Sequence, residues 1–380
     1  MTTPPKLGLY VHWPYCARIC PYCDFNVVKA KGGAEPSDLA AAIIADLEAQ
    51  AQLTGPRELV SVFFGGGTPS LMDPAWAGGI IAAARRLWTP APDLEVTLEA
   101  NPTDAEAARF ADFARAGVNR LSLGLQSLDD DALSFLGRNH DAATAIRAAE
   151  AAASAFPRLS LDLIYARPGQ TPAAWREELT RALDLGAEHI SPYQLTIEPG
   201  TAFDRAVRRG TLAPPDADTG AALFETTQAV LEAARFDAYE VSNHARGQGA
   251  RSRHNLDYWQ GLDYVGAGPG AHGRITIASG RQATYAAPKV ADYIARVREG
   301  GTSFASRETL TPGEAAEERL LAGIRIAEGV PRADLAALDI DPKRVARLVD
   351  LGLLAEDPDR LRATPAGRLV LDRLTAELAA

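Results

Sequence analysis

Short apolar runs alternate with longer amphipathic stretches over the first two-thirds of the chain. The apolar runs predict six strands, which are Leu7–Trp13, Leu59–Phe64, Glu95–Ala100, Arg120–Leu125, Leu159–Tyr165 and His189–Thr196. The amphipathic stretches predict helices at Pro36–Leu53, Pro74–Leu87, Thr103–Ala116, Asp129–Ala152, Pro172–Leu185 and Asp218–Ala234. Strands that alternate with helices in this way indicate parallel βα units and an α/β protein.

The positions of glycines and polar residues favour a barrel over a doubly wound sheet. They lie inside or just past the ends of the predicted strands, at Gly65–Thr68, Glu99, Gln126, Asp162 and Gln194. In a parallel barrel the functional side chains gather at the carboxyl ends of the strands. We therefore expect an incomplete or complete (β/α) barrel, with the doubly wound sheet as the structural alternative.

The three cysteines of the chain, Cys16, Cys20 and Cys23, lie within eight positions of one another. Such clustering favours a metal site. A [4Fe–4S] cluster normally takes four cysteines, so three would leave one iron open to an outside ligand. Two alternatives remain. A disulfide would leave one thiol unpaired, and a zinc site would need a fourth ligand such as His12, whose approach Pro14 makes awkward.

Charge and hydropathy narrow the class of protein. The chain has 39 Lys and Arg residues against 49 Asp and Glu residues, a net charge of −10, which argues against nucleic acid as a primary partner. No uninterrupted apolar run approaches the roughly 18 residues of a membrane span, and the segment Met1–Lys6 lacks a signal pattern. We expect a cytoplasmic protein without direct membrane insertion.

Several motifs, taken in order, resemble those of the radical S-adenosylmethionine enzymes. They are Tyr10, the C-x3-C-x2-C loop, Tyr22 before the third cysteine, and Gly65-Gly-Gly-Thr-Pro69. Within that superfamily the chain resembles the oxygen-independent coproporphyrinogen III oxidases and their haem-chaperone relatives of the HemW type. The resemblance runs through nearly the whole chain. It implies a partial (β/α)6 barrel, a [4Fe–4S] cluster on the three cysteines, and S-adenosylmethionine chelating the open iron.

The same resemblance assigns residues to S-adenosylmethionine. They are Tyr10, Tyr22, Gly66, Gly67, Thr68, Glu99, Gln126, Arg138 and Asp162. Gln126, Arg138 and Asp162 resemble positions that contact a second S-adenosylmethionine in the oxidases. Whether a second molecule binds here stays open. By their chemistry alone, the glycines could form an ordinary tight turn and Glu99 a solvated rim carboxylate. Arg138 and Asp162 could likewise form a structural ion pair.

A second motif lies beyond the predicted barrel, where the chain is rich in glycine, histidine and aromatic residues. The string His254-Asn-x-x-Tyr-Trp259 could be a packed loop that closes the barrel mouth. It also resembles the motif typical of the haem-chaperone branch. A neutral imidazole is a common axial ligand of haem iron, so we predict His254 as a haem ligand, with His244 and His272 as competing candidates.

Four neighbours of this motif are predicted to support a porphyrin. Tyr258 and Trp259 offer flat apolar surface, and Arg251 and Arg253 could pair with the propionates.

Three regions are expected along the chain. Residues 1–238 would form the barrel core with the cluster loop, residues 239–300 a barrel extension with the His-Asn-x-x-Tyr-Trp string, and residues 301–380 a small, mainly helical, winged-helix-like domain. Acidic residues leave that last domain without a basic face, so we interpret it as a cover or partner-binding module and not as a DNA reader.

The sequence is compatible with two functions from different classes. The first is a haem chaperone that transfers haem to respiratory haem proteins and retains its cluster and S-adenosylmethionine for assembly, dimerisation or gating. The second is a radical enzyme that decarboxylates coproporphyrinogen III. The oxidases carry a further cysteine where this chain has Phe25, which favours the chaperone. A radical enzyme with an unrelated substrate is a third hypothesis, and whether the working form is a homodimer is left open.

Overall fold

A mixed sheet of twelve strands forms the framework of the protein, as a computed structural model describes it for residues 4–29 and 35–379. With two small two-stranded sheets, the strands are β1 Lys6–Trp13, β2 Tyr15–Cys16, β3 Val28–Lys29, β4 Glu58–Gly66, β5 Thr89–Ala100, β6 Arg120–Gln126, β7 Arg158–Tyr165, β8 His189–Gln194, β9 Asp237–Glu240, β10 Asn243–Ala245, β11 Tyr264–Ala267, β12 His272–Ile277, β13 Gly280–Ala286, β14 Phe304–Thr309, β15 Val330–Pro331 and β16 Arg360–Leu361. The large sheet has the order β14-β13-β12-β11-β1-β4-β5-β6-β7-β8-β10-β9.

The strands from β11 to β8 run parallel and form a partial barrel. Their side chains alternate between two environments, as a pleated strand requires. On β1, Leu7, Leu9 and Val11 are fully buried in the main hydrophobic core, whereas Tyr10 and His12 line a cavity on the other face. The predicted α/β fold with a partial (β/α) barrel is confirmed, and all six predicted strands are present as β1 and β4–β8.

The sequence did not indicate β11, the parallel strand on the outer edge of the barrel. This strand lies in the glycine-rich stretch that follows the His-Asn-x-x-Tyr-Trp string. A Cβ on Gly266 would lie 2.0 Å from the carbonyl oxygen of His272, so only glycine fits between β11 and β12. The glycine that permits the strand also removes the hydrophobic alternation that would have predicted it.

Fifteen α-helices surround and extend the sheet within the described part of the chain. They are α1 Pro36–Thr54, α2 Pro74–Leu87, α3 Asp104–Ala107, α4 Phe110–Ala116, α5 Asp130–Phe135, α6 Ala142–Ala155, α7 Pro172–Leu183, α8 Ala202–Arg208, α9 Ala217–Ala233, α10 Arg253–Trp259, α11 Val290–Gly300, α12 Pro312–Gly323, α13 Pro342–Asp350, α14 Pro365–Leu369 and α15 Leu371–Ala379. No helix in these residues is both long enough and apolar enough to span a bilayer.

Two predicted helices are each divided in the structure. The stretch Thr103–Ala116 forms α3 and α4, and the stretch Asp129–Ala152 forms α5 and α6. The second break contains Gly137, which has a positive φ of 70°, and a Cβ on Gly137 would lie 2.6 Å from Pro21. The break lets the chain pass close to the cysteines.

Different segments close the two ends of the barrel. The cysteine loop, residues 14–29, lies at the carboxyl ends of the strands, where the amide of Thr68 donates to the carbonyl of Tyr15 at 2.9 Å. The plug segment, residues 247–259, lies at the amino ends. There Arg120, the first residue of β6, donates to the carbonyl of Ala250 at 3.1 Å.

The last helices, α12–α15, pack around a second hydrophobic cluster together with β15 and β16. Its fully buried members are Leu320, Ile324 and Val330. Strand β14 belongs to the large sheet. The domain boundaries given above stay a prediction.

Candidate functional site

A cavity of about 590 Å³ occupies the inside of the barrel. Residues near the carboxyl ends of the strands, among them His12 and Glu99, line it together with residues near the amino ends, among them Ser252 and His254. One continuous space therefore reaches from the carboxyl ends of the strands to the plug segment. Ser61 and Gly65 are four residues apart on β4, so the two ends are separated by about 13 Å at roughly 3.3 Å per residue.

The three thiols of the cysteine loop are all free, so the structure contains no disulfide among them. Burial raises the pKa of Cys16, and it raises the pKa of Cys23 to about 11; the neighbouring Cys20 adds to both shifts. The thiols are thus near enough to repel one another as thiolates. Cationic iron between them would relieve that repulsion.

The arrangement suits a cluster better than a single metal ion. No three Cys, His, Asp or Glu side chains in residues 4–29 and 35–379 converge as the ligands of one ion would. A [4Fe–4S] cluster binds each cysteine through a separate iron and does not need such convergence. The ring nitrogens of His12 contact the Tyr10 hydroxyl at 3.0 Å and the Asn26 carbonyl at 2.8 Å, so His12 is not free to complete a zinc site.

The glycines at the end of β4 and directly after it are needed for packing against β1 and the cysteine loop. Gly66 has a φ of 106°, and a Cβ there would lie 2.5 Å from the ring of His12. A Cβ on Gly67 would lie 2.8 Å from the backbone of Pro14. Thr68 then donates from its hydroxyl to the Cys16 sulfur at 3.7 Å. This loop holds one cysteine in place directly.

Arg138 lies between the cysteine loop and the strand ends. Its guanidinium is 3.4 Å from the Cys20 sulfur and 3.5 Å from the Tyr22 hydroxyl, and it also donates to Asn101 and to the carbonyl of Gly124. It forms no ion pair with Asp162, so the structural pair considered from the sequence is not present. Arg138 therefore places a cation beside the Cys20 sulfur.

Two carboxyl groups face the cavity near its carboxyl end. Burial and the nearby Asp162 raise the pKa of Glu99 to about 8, against a smaller opposite effect of the Gly66 amide. Burial raises the pKa of Asp162 to about 6, although Ser122 donates to it at 2.8 Å. A cationic or hydroxyl-bearing ligand would favour the ionised forms of both.

Several buried polar atoms at this end have no hydrogen-bond partner among the described residues. They are Gln126 Oε1, Arg138 Nε and Asp162 Oδ1. An unpaired buried polar group costs about 1–3 kcal/mol. Gln126 in addition has a positive φ of 67°, which a residue other than glycine rarely adopts. These unpaired donors and acceptors fit a small polar ligand such as S-adenosylmethionine.

His254 projects into the same cavity from the plug segment. Its Nδ1 lies 3.2 Å from the Ser61 hydroxyl, and its ring stacks on Phe63 at a centroid distance of 4.9 Å, with Tyr10 at 6.2 Å. Burial lowers the pKa of His254 to about 4, so the imidazole is neutral at pH 7. Its Nε2 makes no hydrogen bond within the described chain, which leaves that nitrogen free for a ligand.

The competing histidines have different surroundings. His244 on β10 is almost fully buried, contacts Gln228 at 3.3 Å through Nε2, and does not line the cavity. His272 lines the cavity, is exposed, and stacks on Tyr285 at 4.6 Å. The structure therefore brings His254 and His272 together in one space and leaves His244 outside it.

Of the four predicted porphyrin neighbours, only Tyr258 lines this cavity. Tyr258 and Trp259 both line a second cavity of about 510 Å³ between α10 and α12. Arg251 pairs with Glu328 at 2.6 Å and Arg253 pairs with Asp93, and neither arginine lines the cavity. The prediction that they meet the propionates gains no support.

Sequence reasoning missed three polar residues of this region. Arg274 lines both cavities and pairs with Glu318 at 2.6 Å. Ser61 and Asp257 contact each other beside His254. The inward register of β4 was a usable signal for Ser61, since it shares a face with Phe63 and Gly65.

Comparison with known proteins agrees with this architecture. The chain matches the family model of the Radical SAM superfamily over residues 10–182 and that of the HemN C-terminal domain over residues 310–370. The solved structure of the coproporphyrinogen III oxidase HemN from Escherichia coli aligns with a TM-score of 0.82 at 19% identity, covering 100% of this chain and 91% of that one. At that identity the likeness concerns the fold.

Two relatives cover almost the entire chain. One is the radical S-adenosyl methionine domain-containing protein 1, mitochondrial, of Bos taurus, 41% identical over 98% of this chain and 87% of the relative. The other is the heme chaperone HemW of Mycobacterium tuberculosis, 39% identical over 98% of this chain and 94% of the relative. The chain therefore belongs to the radical S-adenosylmethionine superfamily and, within it, to the HemW-type proteins.

Proposed function

We propose that the protein is a haem chaperone, which binds haem and transfers it to respiratory haem proteins. The observation that carries the proposal is a neutral imidazole, His254, whose Nε2 is free in a cavity of about 590 Å³. Neutral histidine is a common axial ligand of haem iron. The name of the Mycobacterium tuberculosis relative supports the same function.

Membership of the radical S-adenosylmethionine superfamily implies a [4Fe–4S] cluster and S-adenosylmethionine. When bound, the cluster supplies one electron at a time. Cys16, Cys20 and Cys23 would hold it, and Arg138 would offset the charge of Cys20.

The S-adenosylmethionine contacts stay as assigned from the sequence. The glycine loop with Thr68 would hold the amino acid end, because it abuts the cysteine loop. Glu99, Gln126 and Asp162 would accept hydrogen bonds from ammonium or hydroxyl groups. Glu99 and Asp162 line the cavity, and Gln126 ends β6 with its Oε1 buried and unpaired. Tyr10 and Tyr22 would pack beside these groups.

Phe25 weakens the alternative of a coproporphyrinogen III oxidase. Its side chain is 61% exposed on the cysteine loop, and a phenyl ring can neither ligate iron nor transfer a proton. The cytoplasmic setting, the respiratory acceptors and a homodimer stay predictions.

A haem titration of the purified protein tests the proposal. We expect the wild-type protein to bind one haem with a distinct Soret band, and His254→Ala to weaken binding or shift the band. His272→Ala is the matched control, because it removes an imidazole from the same cavity at an exposed position. The control should keep the wild-type spectrum.

Two outcomes would contradict the proposal. Absence of specific haem binding would remove the chaperone function. Conversion of coproporphyrinogen III at a catalytic rate, by anaerobically reconstituted protein with S-adenosylmethionine and a reductant, would favour the oxidase instead.

A further inference from the structure

Three side chains form a hydrogen-bonded chain at the amino end of the barrel. The Ser61 hydroxyl lies 3.1 Å from Asp257 Oδ2 and 3.2 Å from His254 Nδ1. Ser61 and Asp257 are both buried. The serine comes from β4 and the other two residues from α10, so the chain of contacts ties the plug segment to the barrel wall.

The number of protons decides the direction of these hydrogen bonds. A serine hydroxyl has one hydrogen, and an ionised carboxylate has none and can only accept. While Asp257 is ionised, Ser61 must therefore donate to it. Its oxygen is then left as an acceptor, so the hydrogen between Ser61 and His254 has to come from Nδ1 of the imidazole. A neutral imidazole that is protonated on Nδ1 carries a lone pair on Nε2.

Burial raises the pKa of Asp257 to about 7, against the opposite effect of the Ser61 hydrogen bond. Above that value the carboxylate is the major form. Stacking on Phe63 restricts rotation of the ring. Both nitrogens of His254 are thus in fixed positions before any ligand arrives.

We propose that Ser61 and Asp257 are positioning residues, which hold His254 as its Nδ1–H tautomer so that the Nε2 lone pair faces the cavity. Partners on the second nitrogen of a ligating histidine fix its tautomer and orientation and increase its basicity as a ligand. The consequence for haem rests on the proposed function. The tautomer itself is a property of the chain without haem.

The experiment records long-range ¹H–¹⁵N correlations of ¹⁵N-histidine-labelled protein without haem at pH 8.5, with the His254 signals assigned from His254→Gln. In the wild-type protein we expect Nδ1 to be protonated and Nε2 to be bare. In Asp257→Asn the amide can donate to Ser61, which frees the serine hydrogen for Nδ1, so the signals should change to the Nε2–H tautomer. Ser61→Ala should give the mixture typical of an unrestrained imidazole.

Two further variants separate positioning from a general loss of structure. Ser61→Thr keeps the hydroxyl and should restore the wild-type pattern. Ser160→Ala is the matched control, since Ser160 is a cavity serine that contacts Nδ1 of a different histidine, His189, at 2.5 Å. It should alter the signals of His189 and leave those of His254 unchanged.

A haem titration of the same variants distinguishes the two proposals. We expect Ser61→Ala and Asp257→Asn to bind haem about 10–100-fold more weakly than wild type, with a shifted Soret band and midpoint potential. An Nε2–H tautomer in the wild-type protein would overturn the positioning role whether or not haem binds. An Nδ1–H tautomer without any haem binding would leave the positioning role intact and overturn the chaperone function.

Discussion

Buried charged groups on the barrel strands are paired at the amino end of the barrel and unpaired at the carboxyl end. At the amino end, Arg120 and Arg158 lie within 4 Å of Glu95 and Glu188, and Glu95 also accepts from backbone amides of the plug segment. At the carboxyl end, the neighbouring acids Glu99 and Asp162 have no cation paired with them, and Asp162 keeps one oxygen without a partner.

This difference separates acids that are already paired from acids that are available to a ligand. At the amino end the charges of the arginines and carboxylates neutralise one another, although Glu95 Oε2 and Arg120 Nη2 have no hydrogen-bond partner among the described residues. The carboxyl end carries repelling thiols, adjacent acids and unpaired polar atoms, all of which a bound cluster and cofactor would satisfy. Buried carboxyl groups of the strands are therefore held in ion pairs at one end and are available for binding at the other.

The largest expected effect is the loss of the iron–sulfur cluster when a cysteine is removed from the carboxyl end. Cys20→Ala should abolish the iron–sulfur absorbance that anaerobic reconstitution with iron and sulfide produces, because two thiolates cannot hold the cluster at full occupancy. Phe25→Ala is the matched control on the same loop, and it should keep the absorbance since its ring is exposed. Undiminished absorbance in Cys20→Ala would show that the cysteine loop is not the cluster site.

A large effect on stability is expected at the amino end. Arg120 is 1% exposed, and Arg120→Ala would leave Glu95 buried with less compensation. Removing one partner of a buried ion pair typically costs about 3–5 kcal/mol, and we expect the free energy of unfolding in urea to fall by that amount. Arg147→Ala, which breaks an exposed pair with Asp104, should cost less than about 1 kcal/mol. Equal losses in the two variants would contradict the idea that the buried ion pairs stabilise the amino end.

A smaller effect should appear in the pH dependence of the protein without cofactors. The folded state raises the pKa of Glu99 from 4.5 to about 8, so the folded protein binds a proton that the unfolded chain releases. Its contribution to stability is therefore fully present below pH 4.5 and is lost as the pH rises through about 8. Glu99→Gln should remove this part of the decrease in the thermal unfolding midpoint between pH 5 and 9. If the midpoint of the variant decreases with the same slope as that of the wild type, other groups cause the effect.

Local patterns were sufficient to predict the carboxyl end. The cysteine spacing, the glycine run and the polar residues at strand ends are each contained in a few consecutive positions, and the alternation of apolar residues gave the strands that carry them. Helix breaks were less predictable. The interruption at Gly137 depends on contact with Pro21, more than a hundred residues away.

The amino end could not be predicted in this way, because its contacts join distant parts of the chain. Ser61 and His254 are 193 positions apart, and no local pattern relates them. Arg251 and Arg253 show that residues close in sequence can also be assigned a contact that they do not make. Their place beside His254 in the sequence predicted a role at the cavity, but their ion pairs with Glu328 and Asp93 hold them elsewhere.

The cavity that joins the carboxyl ends of the strands to His254 has a thermodynamic consequence. If S-adenosylmethionine and haem both bind in this space, each changes the volume and the electrostatic potential that the other meets, so their binding equilibria would be linked. Linkage is reciprocal: whatever factor S-adenosylmethionine applies to the dissociation constant of haem, haem applies to that of S-adenosylmethionine. In a chaperone built in this way, release of the cargo would be coupled to the loading state of the cofactor.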